Sequence, residues 1–279
     1  MTPTILVSIP TLNSERTLGD ALLSVLRSSR DGVTVNVVDS YSTDATAEIA
    51  KTLGVEVKFY GGKLLGARYK GFADSLADYV LLMDSDQVLP EGSLARLTAL
   101  IEDTDPDMVI LEETSYRTDT LTERMYALDR ALVHDHFEYN VSPEHGVLLP
   151  RLFRRSLLAE AFANIDEALY PVVTAHDHAI IYYECRQLSD DVRMLEAAMF
   201  HQEPPTLTAT FHHFVSYGSN VWSFEHLHAY EALIRAKMAG RNRGLLRTPQ
   251  VRRVATLPLL LSKFAGYHYG YRKASRANR

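Results

Sequence analysis

The chain of 279 residues has a single cysteine, Cys185, and not one acidic residue after Glu231. One thiol excludes a disulfide framework and any zinc site built on CxxC pairs, and it makes a reducing, cytoplasmic compartment the default expectation. No apolar run comes near the roughly 20 residues needed to span a bilayer. The opening MTPTILVSIP lacks a basic n-region and a long apolar h-region, so no signal peptide is expected. There is no GxGxxG behind the first apolar run and no GxxxxGK(S/T) anywhere, which removes support for a dinucleotide Rossmann site and for a P-loop. What is present is an ordinary globular composition, 46% hydrophobic and 23% charged, in a chain long enough for one large domain or two small ones.

The missing acids make the two ends of the chain unlike. Residues 1–231 carry 35 Asp and Glu against 17 Lys and Arg, whereas the remainder carries 12 Lys and Arg and no acid. Within this tail VATLPLLLSKFAGYHYGY (254–271) joins an apolar run to Lys263, Phe264, Tyr267, Tyr269 and Tyr271, residue types that favour an interface. It reads either as a terminal helix packed on the core with a solvated basic flank, or as peripheral attachment to an anionic membrane surface, useful for a lipid-linked substrate. Nucleic acid is not expected as a partner, because the acidic body would be repelled.

The first half alternates short apolar runs with longer amphipathic ones. TILVSIP (4–10), VTVNVVDS (33–40), VEVKFY (55–60) and YVLLMD (79–84) have the β-branched, apolar character of buried strands. Between them SERTLGDALLSVLRSS (14–29), STDATAEIAKTLG (42–54) and GARYKGFADSLA (66–77) have helical character, with capping oxygens at Ser14 and at Ser42 or Thr43, and a stop at Gly54. Strands separated by helices of this length form right-handed βαβ units and a mostly parallel sheet. Ligands of such sheets sit beyond the carboxyl ends of the strands. Those ends are Pro10 to Glu15, Asp39 and Ser40, Tyr60 to Lys63, and Asp84 to Asp86.

The last of these is the most pointed. In YVLLMDSDQVLPEGS (79–93) two aspartates two residues apart share a side of the chain, and their repulsion is relieved by a divalent cation. Hard oxygen ligands suit Mg²⁺ or Mn²⁺, which also bind substrate phosphates. The same triplet occurs as a cap or a solvated turn.

Read in order, VSIPTLNSERTLGDALLSVL (7–26), VNVVDSYSTDATAEIA (35–50), GARYKGFADSLADYVLLMDSDQVLPEGSL (66–94) and GVLLPRLFRRSLL (146–158) closely resemble the family 2 glycosyltransferases of GT-A fold. The likeness continues more loosely through AHDHAIIYYE (175–184) and FHHFVSYGSN (211–220), about three quarters of the chain in all. It implies a Rossmann-like α/β fold, a mostly parallel central sheet flanked by helices, here with a basic, helical C-terminal extension. Residues 1–115 would form the nucleotide-sugar-binding half of the GT-A domain, 116–230 its acceptor-binding half, and 231–279 the extension.

Residue by residue, the resemblance places Pro10, Thr11, Leu12 and Glu15 against the nucleotide base. Asp39 would accept a hydrogen bond from it, usually from uracil N3–H. Ser40 stands where the family often has a second acid. Arg68, in GARYKG, matches a basic residue near the phosphates, with Lys63 assisting. Asp84 falls nearer the ribose, next to Ser85, and Asp86 is the direct metal ligand, with His201 completing the metal site. Asp177, in TAHDHAIIYYE, matches the base that deprotonates the acceptor hydroxyl, with His176 in place of the usual acidic neighbour.

The residues alone leave other roles open. Asp39 could cap the following helix, Arg68 could be a surface charge, and Asn13 and Ser14 could do no more than end a loop. His201 could be an edge-of-strand histidine, and Glu144, Asp166 and Glu184 rival Asp177 as base. His176 and His178 form an HxH more often structural than zinc-binding. The expectation is a metal-dependent, inverting transferase of hexosyl or N-acetylhexosaminyl type, moving a sugar from a nucleotide donor, UDP above all, to a sugar, a lipid-linked glycan or a small molecule. A retaining enzyme, a nucleotidyltransferase and a binding-only relative are the alternatives, and the sequence leaves the oligomeric state open.

Overall fold

The computed structural model describes residues 2–28, 31–136, 142–144, 148–225, 228–237 and 250–277. Strand β1 (Ile5–Thr11) is buried at every position, as its unbroken apolar run requires. It pairs in parallel with β2 (Val33–Asp39) on one side and β4 (Tyr79–Leu82) on the other, and β3 (Glu56–Phe59) extends the sheet beyond β2. Helices α1 (Leu18–Ser28), α2 (Thr46–Thr52) and α3 (Leu64–Phe72) make the crossovers. Register sets the chemistry: Thr11 lies opposite Asp39 and Ser8 opposite Leu82, so the ends that carry Thr11, Asp39 and Asp84 open on one edge.

Past β4 the sheet turns antiparallel. Its full order is β3-β2-β1-β4-β7-β6-β8-β5, with β5 (Gln87–Val88), β6 (Met108–Ser115), β7 (Leu152–Arg154) and β8 (Val192–His201). β7 pairs antiparallel with both β4 and β6, and β5 with β8. Helices α4 (Ser93–Thr104), α6 (Arg155–Asn164) and α7 (Asp177–Leu188) complete this part. The core joins Ile5, Val7 and Ile9 of β1 to Leu18, Leu22 and Val25 of α1 and Leu94, Leu97 and Ile101 of α4. The expected α/β fold with its central sheet and C-terminal helix is the one the chain adopts.

The expected boundaries shift where distant groups intervene. The first helix starts at Leu18 rather than Ser14, and residues 13–15 bond across to the β2–α2 loop and the first residue of α2: Ser14 N–H donates to Thr46 Oγ1 at 2.7 Å and Asn13 N–H to Ser42 Oγ at 2.8 Å. The third ends at Phe72 rather than residue 77, and the chain turns there so that Asp78 can accept from the Thr4 N–H and hydroxyl at 2.8 and 2.7 Å. Helix α3 lies hard against β1. A Cβ at Gly71 would sit 2.0 Å from Ser8 Oγ, and the Gly71 carbonyl accepts from Asn36 Nδ2 at 2.8 Å, which fixes the helix that carries Arg68.

The chain divides into two compact units, one of residues 1–113, 149–172 and 177–201, the other of 114–148, 173–176 and 202–279. The second is helical: α5 (Leu121–His136), α8 (Leu207–Glu225), α9 (231–237) and α10 (Gln250–Ala277). Cys185 is fully buried on α7, and burial pushes its thiol well above the usual range.

Candidate active site

Arg68 stands at the middle of the site although only 1% of it is exposed. A guanidinium taken so far from water must be met by carboxylates, and it meets two. Its Nη2 donates to Asp84 Oδ1 at 2.5 Å and its Nε to Asp177 Oδ2. Asp177 is itself buried, at the start of α7. Asp84 also accepts, through Oδ2, from Arg151 Nη1 at 2.9 Å. The remaining nitrogen of the first guanidinium, Arg68 Nη1, is buried with no partner among the described residues.

A second layer holds Arg151. Glu113 Oε1 accepts from Arg151 Nη2 at 2.8 Å and from Gln87 Nε2 at 2.7 Å, and Gln87 Oε1 in turn accepts the Asp84 N–H at 2.7 Å. Gln87, directly after the DSD triplet, therefore ties that turn to the Glu113–Arg151 pair. His178 closes the ring, with Nε2 against Arg151 Nη1 and 3.7 Å from Asp84 Oδ1. A guanidinium can only donate, so the imidazole accepts there and is neutral, its Nδ1 buried and unpartnered among the described residues.

These charges settle one another's protonation. Burial alone would raise the Asp84 carboxyl, but the Arg68 and Arg151 charges hold it well below the ordinary carboxylate range. Burial would weaken both guanidinium cations; Asp177 and Asp84 raise Arg68 instead, and Asp84 and Glu113 raise Arg151. His178 goes the other way, lowered to about 4 by burial and by the Arg151 and Arg68 charges. Above pH 6.5 this histidine is neutral folded or unfolded and costs nothing. As pH falls from about 6.5 to about 4 the unfolded chain gains a proton that the folded chain refuses, a loss that grows to about 3 kcal/mol. Urea melts across that range should show His178→Gln protein losing less stability than the wild type; equal slopes would sink the assignment.

Around this centre the other anticipated residues fall into groups. Asp39 is buried and accepts from Thr11 Oγ1 at 3.0 Å, from Ser42 N–H at 2.8 Å and from Ser42 Oγ at 2.6 Å, so it organises the turn after β2. Pro10 and Thr11 are buried at the end of β1, while Leu12 is 57% exposed and offers an apolar face at that edge. Glu15 Oε2 accepts from Ala45 N–H at 3.1 Å, and Ser85 Oγ pairs with Ser14 Oγ at 2.9 Å. Lys63 is exposed at the head of α3. Arg68 is not a surface charge.

The three anticipated metal ligands are not drawn together. Asp86 lies 3.7 Å from His201 Nε2, a proximity set by β5–β8 pairing with Gln87 opposite His201, but Asp84 is turned to the two arginines. Among the described residues no three His, Cys, Asp or Glu side chains converge as a ligand set. One carboxylate and one imidazole, supplemented by phosphate oxygens, is nonetheless a donor set that Mg²⁺ or Mn²⁺ accepts. Of the rival bases, Asp166 Oδ1 accepts the Ala168 N–H at 2.9 Å as a turn cap and Glu144 accepts from Ser142 Oγ at 2.6 Å. Glu184 lies two turns beyond Asp177 on α7. His176, at φ 64°, faces Tyr217, whereas His178 faces Arg151, so the HxH does not act as a unit.

A sheet parallel through its first four strands and continued by antiparallel ones, flanked by helices, is the α/β architecture of the GT-A fold. The chain belongs to glycosyl transferase family 2, whose model matches residues 6–161, more than half its length. Among solved structures it is similar to S. aureus TarS in complex with UDP-GlcNAc, at 16% identity and a TM-score of 0.55, over 99% of this chain and 91% of that one. It is also similar to glucosyl-3-phosphoglycerate synthase from Mycobacterium tuberculosis in complex with Mn²⁺, UDP-glucose and phosphoglyceric acid, at 20% identity and a TM-score of 0.52, over 80% and 79% of the two chains. No curated protein matches the chain.

Proposed function

We propose that the chain transfers a sugar, with inversion, from a UDP-sugar to an acceptor hydroxyl, in the cytoplasm and at a membrane surface when the acceptor is lipid-linked. The observation that carries this reading is the Arg68 guanidinium, which spans Asp84 of the DSD triplet and Asp177 while its Nη1 stays open. An unpaired buried N–H of a cation is a ready partner for an anion, and the donor's diphosphate is the anion the reaction brings. Asp39 would accept from the base and Leu12 would lie against it, with Pro10, Thr11 and Glu15 shaping the loop. Lys63 and Ser85 would complete the donor contacts. Residues 116–230 would select the acceptor.

Asp177 takes the proton of the attacking hydroxyl. Its carboxylate accepts from Arg68, which holds it in one orientation. With Nε and Nη2 kept on the two carboxylates, Arg68 Nη1 would face a phosphate, so the charge that develops on the leaving diphosphate meets a cation already in place. Asp86 and His201 would hold Mg²⁺ or Mn²⁺, which supplies Lewis-acid stabilisation of the departing phosphate. Backbone at the triplet is fixed by Gln87 and, through it, by Glu113.

Thermal shift against a panel of nucleotide sugars, with and without Mn²⁺, tests the donor. The right UDP-sugar at about a hundredfold over its Kd should add about 2.7 kcal/mol and raise Tm by about 5–10 °C. That rise should need Mn²⁺ and disappear in Asp86→Ala protein. Equal shifts from all nucleotides, or a product of retained anomeric configuration, would overturn the donor and the stereochemical parts respectively.

A further inference from the structure

Helix α10 has two apolar faces, one packed on α8 and one exposed among the described residues. The inner face lies on α8 at backbone distance: a Cβ at Gly266 would fall 2.4 Å from the Phe211 carbonyl oxygen, and one at Gly270 2.0 Å from that of Val215. Gly218 of α8 makes the reciprocal approach to Tyr267. Leu259 and Thr256 are buried on this side, and Lys263 is drawn inward to Asp129 at 2.6 Å, its ammonium 4.3 Å over the Tyr126 ring. These contacts lock which side of the helix points out.

Outward stand Val254, Leu257, Leu261, Phe264 and Tyr269, at 70, 48, 58, 65 and 56% exposure. The first four follow one another by three, four and three residues, the spacing that lines up side chains on one side of a helix. They make a stripe about 15 Å long at 1.5 Å per residue, flanked by Tyr269, whose ring lies 6.0 Å from that of Phe211 on α8. Arg272, Lys273 and Arg276 follow directly, all exposed. A contiguous apolar patch of this extent on a folded chain marks a surface for a partner.

Charge selects the partner. A second copy of α10 laid on this stripe would bring its basic residues toward those of the first, and the chain past Glu231 has no Asp or Glu to offset them. An anionic lipid surface supplies the missing counter-charge and an apolar phase for the stripe. Among the described residues no helix is long and apolar enough to cross a membrane. We propose that α10 lies in the plane of an anionic membrane, with Val254, Leu257, Leu261 and Phe264 at the acyl boundary and Arg272, Lys273 and Arg276 on lipid phosphates. This deepens the surface attachment inferred above, and it rests on no assumption about the sugar or the base.

Flotation of the full chain with vesicles tests it. The protein should float with equimolar phosphatidylcholine and phosphatidylglycerol and not with phosphatidylcholine alone. The pair Leu261→Asp and Phe264→Asp, on exposed positions, should abolish flotation while far-UV circular dichroism stays unchanged. Reversing Arg272, Lys273 and Arg276 to Glu should weaken binding about a hundredfold or more. Asp86→Ala protein, impaired in donor binding, should float like the wild type, so failure at the active site and failure at the membrane are read separately. Folded wild-type protein that does not float, or charge-reversed protein that floats undiminished, overturns the proposal. So does a dimer in sedimentation that the Leu261 and Phe264 substitutions dissolve without changing flotation, because the stripe would then belong to a second copy.

Discussion

Asp177→Asn protein should bind a UDP-sugar normally and transfer it about 10³-fold more slowly, within the range that a positioned general base contributes. Asparagine keeps the shape of the side chain and still presents an oxygen to Arg68 Nε, so the local hydrogen bond survives. What it cannot do is take a proton. The counter-charge on Arg68 is not lost either, since Asp84 remains against Nη2. The thermal shift produced by donor should therefore match that of the wild type, while single-turnover transfer collapses. Wild-type rates from purified Asp177→Asn protein would remove this residue from the base role and return attention to Glu184, on the same helix.

Arg68→Met should cost stability as well as activity. The substitution removes the sole described cation paired to buried Asp177 and one of two paired to Asp84, which keeps Arg151. Breaking a buried pair from one side strands the other charge, at about 3–5 kcal/mol. For a chain of this size that lowers Tm by about 10 °C or more. Because the penalty lies in the stranded carboxylate rather than in lost packing, adding Asp177→Asn to Arg68→Met should give part of the stability back. Strictly additive losses in that double-mutant cycle would show that the two side chains do not depend on each other. Lysine in place of Arg68 should not rescue, since one ammonium cannot present the Nε and Nη2 geometry to two carboxylates at once.

The parallel half of the sheet was legible because its signals are local. A strand's apolar run and a helix's spacing are each complete within a dozen residues, and β1 to β4 fall where those runs lie. The line of strand ends that collects Thr11, Asp39 and Asp84 follows from parallel register alone. The ring that holds Asp84 was not legible in the same way. Arg151 reaches it because β7 runs antiparallel to β4, with Leu152 opposite Leu81, and Glu113 because β6 lies on the far side of β7. Nothing in LLPRLFRR states which strand it will lie beside. Gln87 had a faint signal, its place immediately after the triplet, and the HxH around His178, read as structural, did not state that burial beside two arginines makes it a neutral acceptor. The late start of α1 has the same origin: Ser14 is a good cap by type, but its Oγ is engaged by Ser85 Oγ, 71 residues away, rather than by a helix N–H.

Cys185, sealed on α7 with its thiol held in the protonated form, gives the chain a practical property of another kind. A thiol that is neither ionised nor reachable is silent toward maleimide dyes. Any cysteine placed on the surface is then the one position that takes a label, with no need to rebuild the interior first. A single fluorophore at Leu261 or Phe264 would report the polarity around the outer face of α10 directly, as blue-shifted emission when that face leaves water.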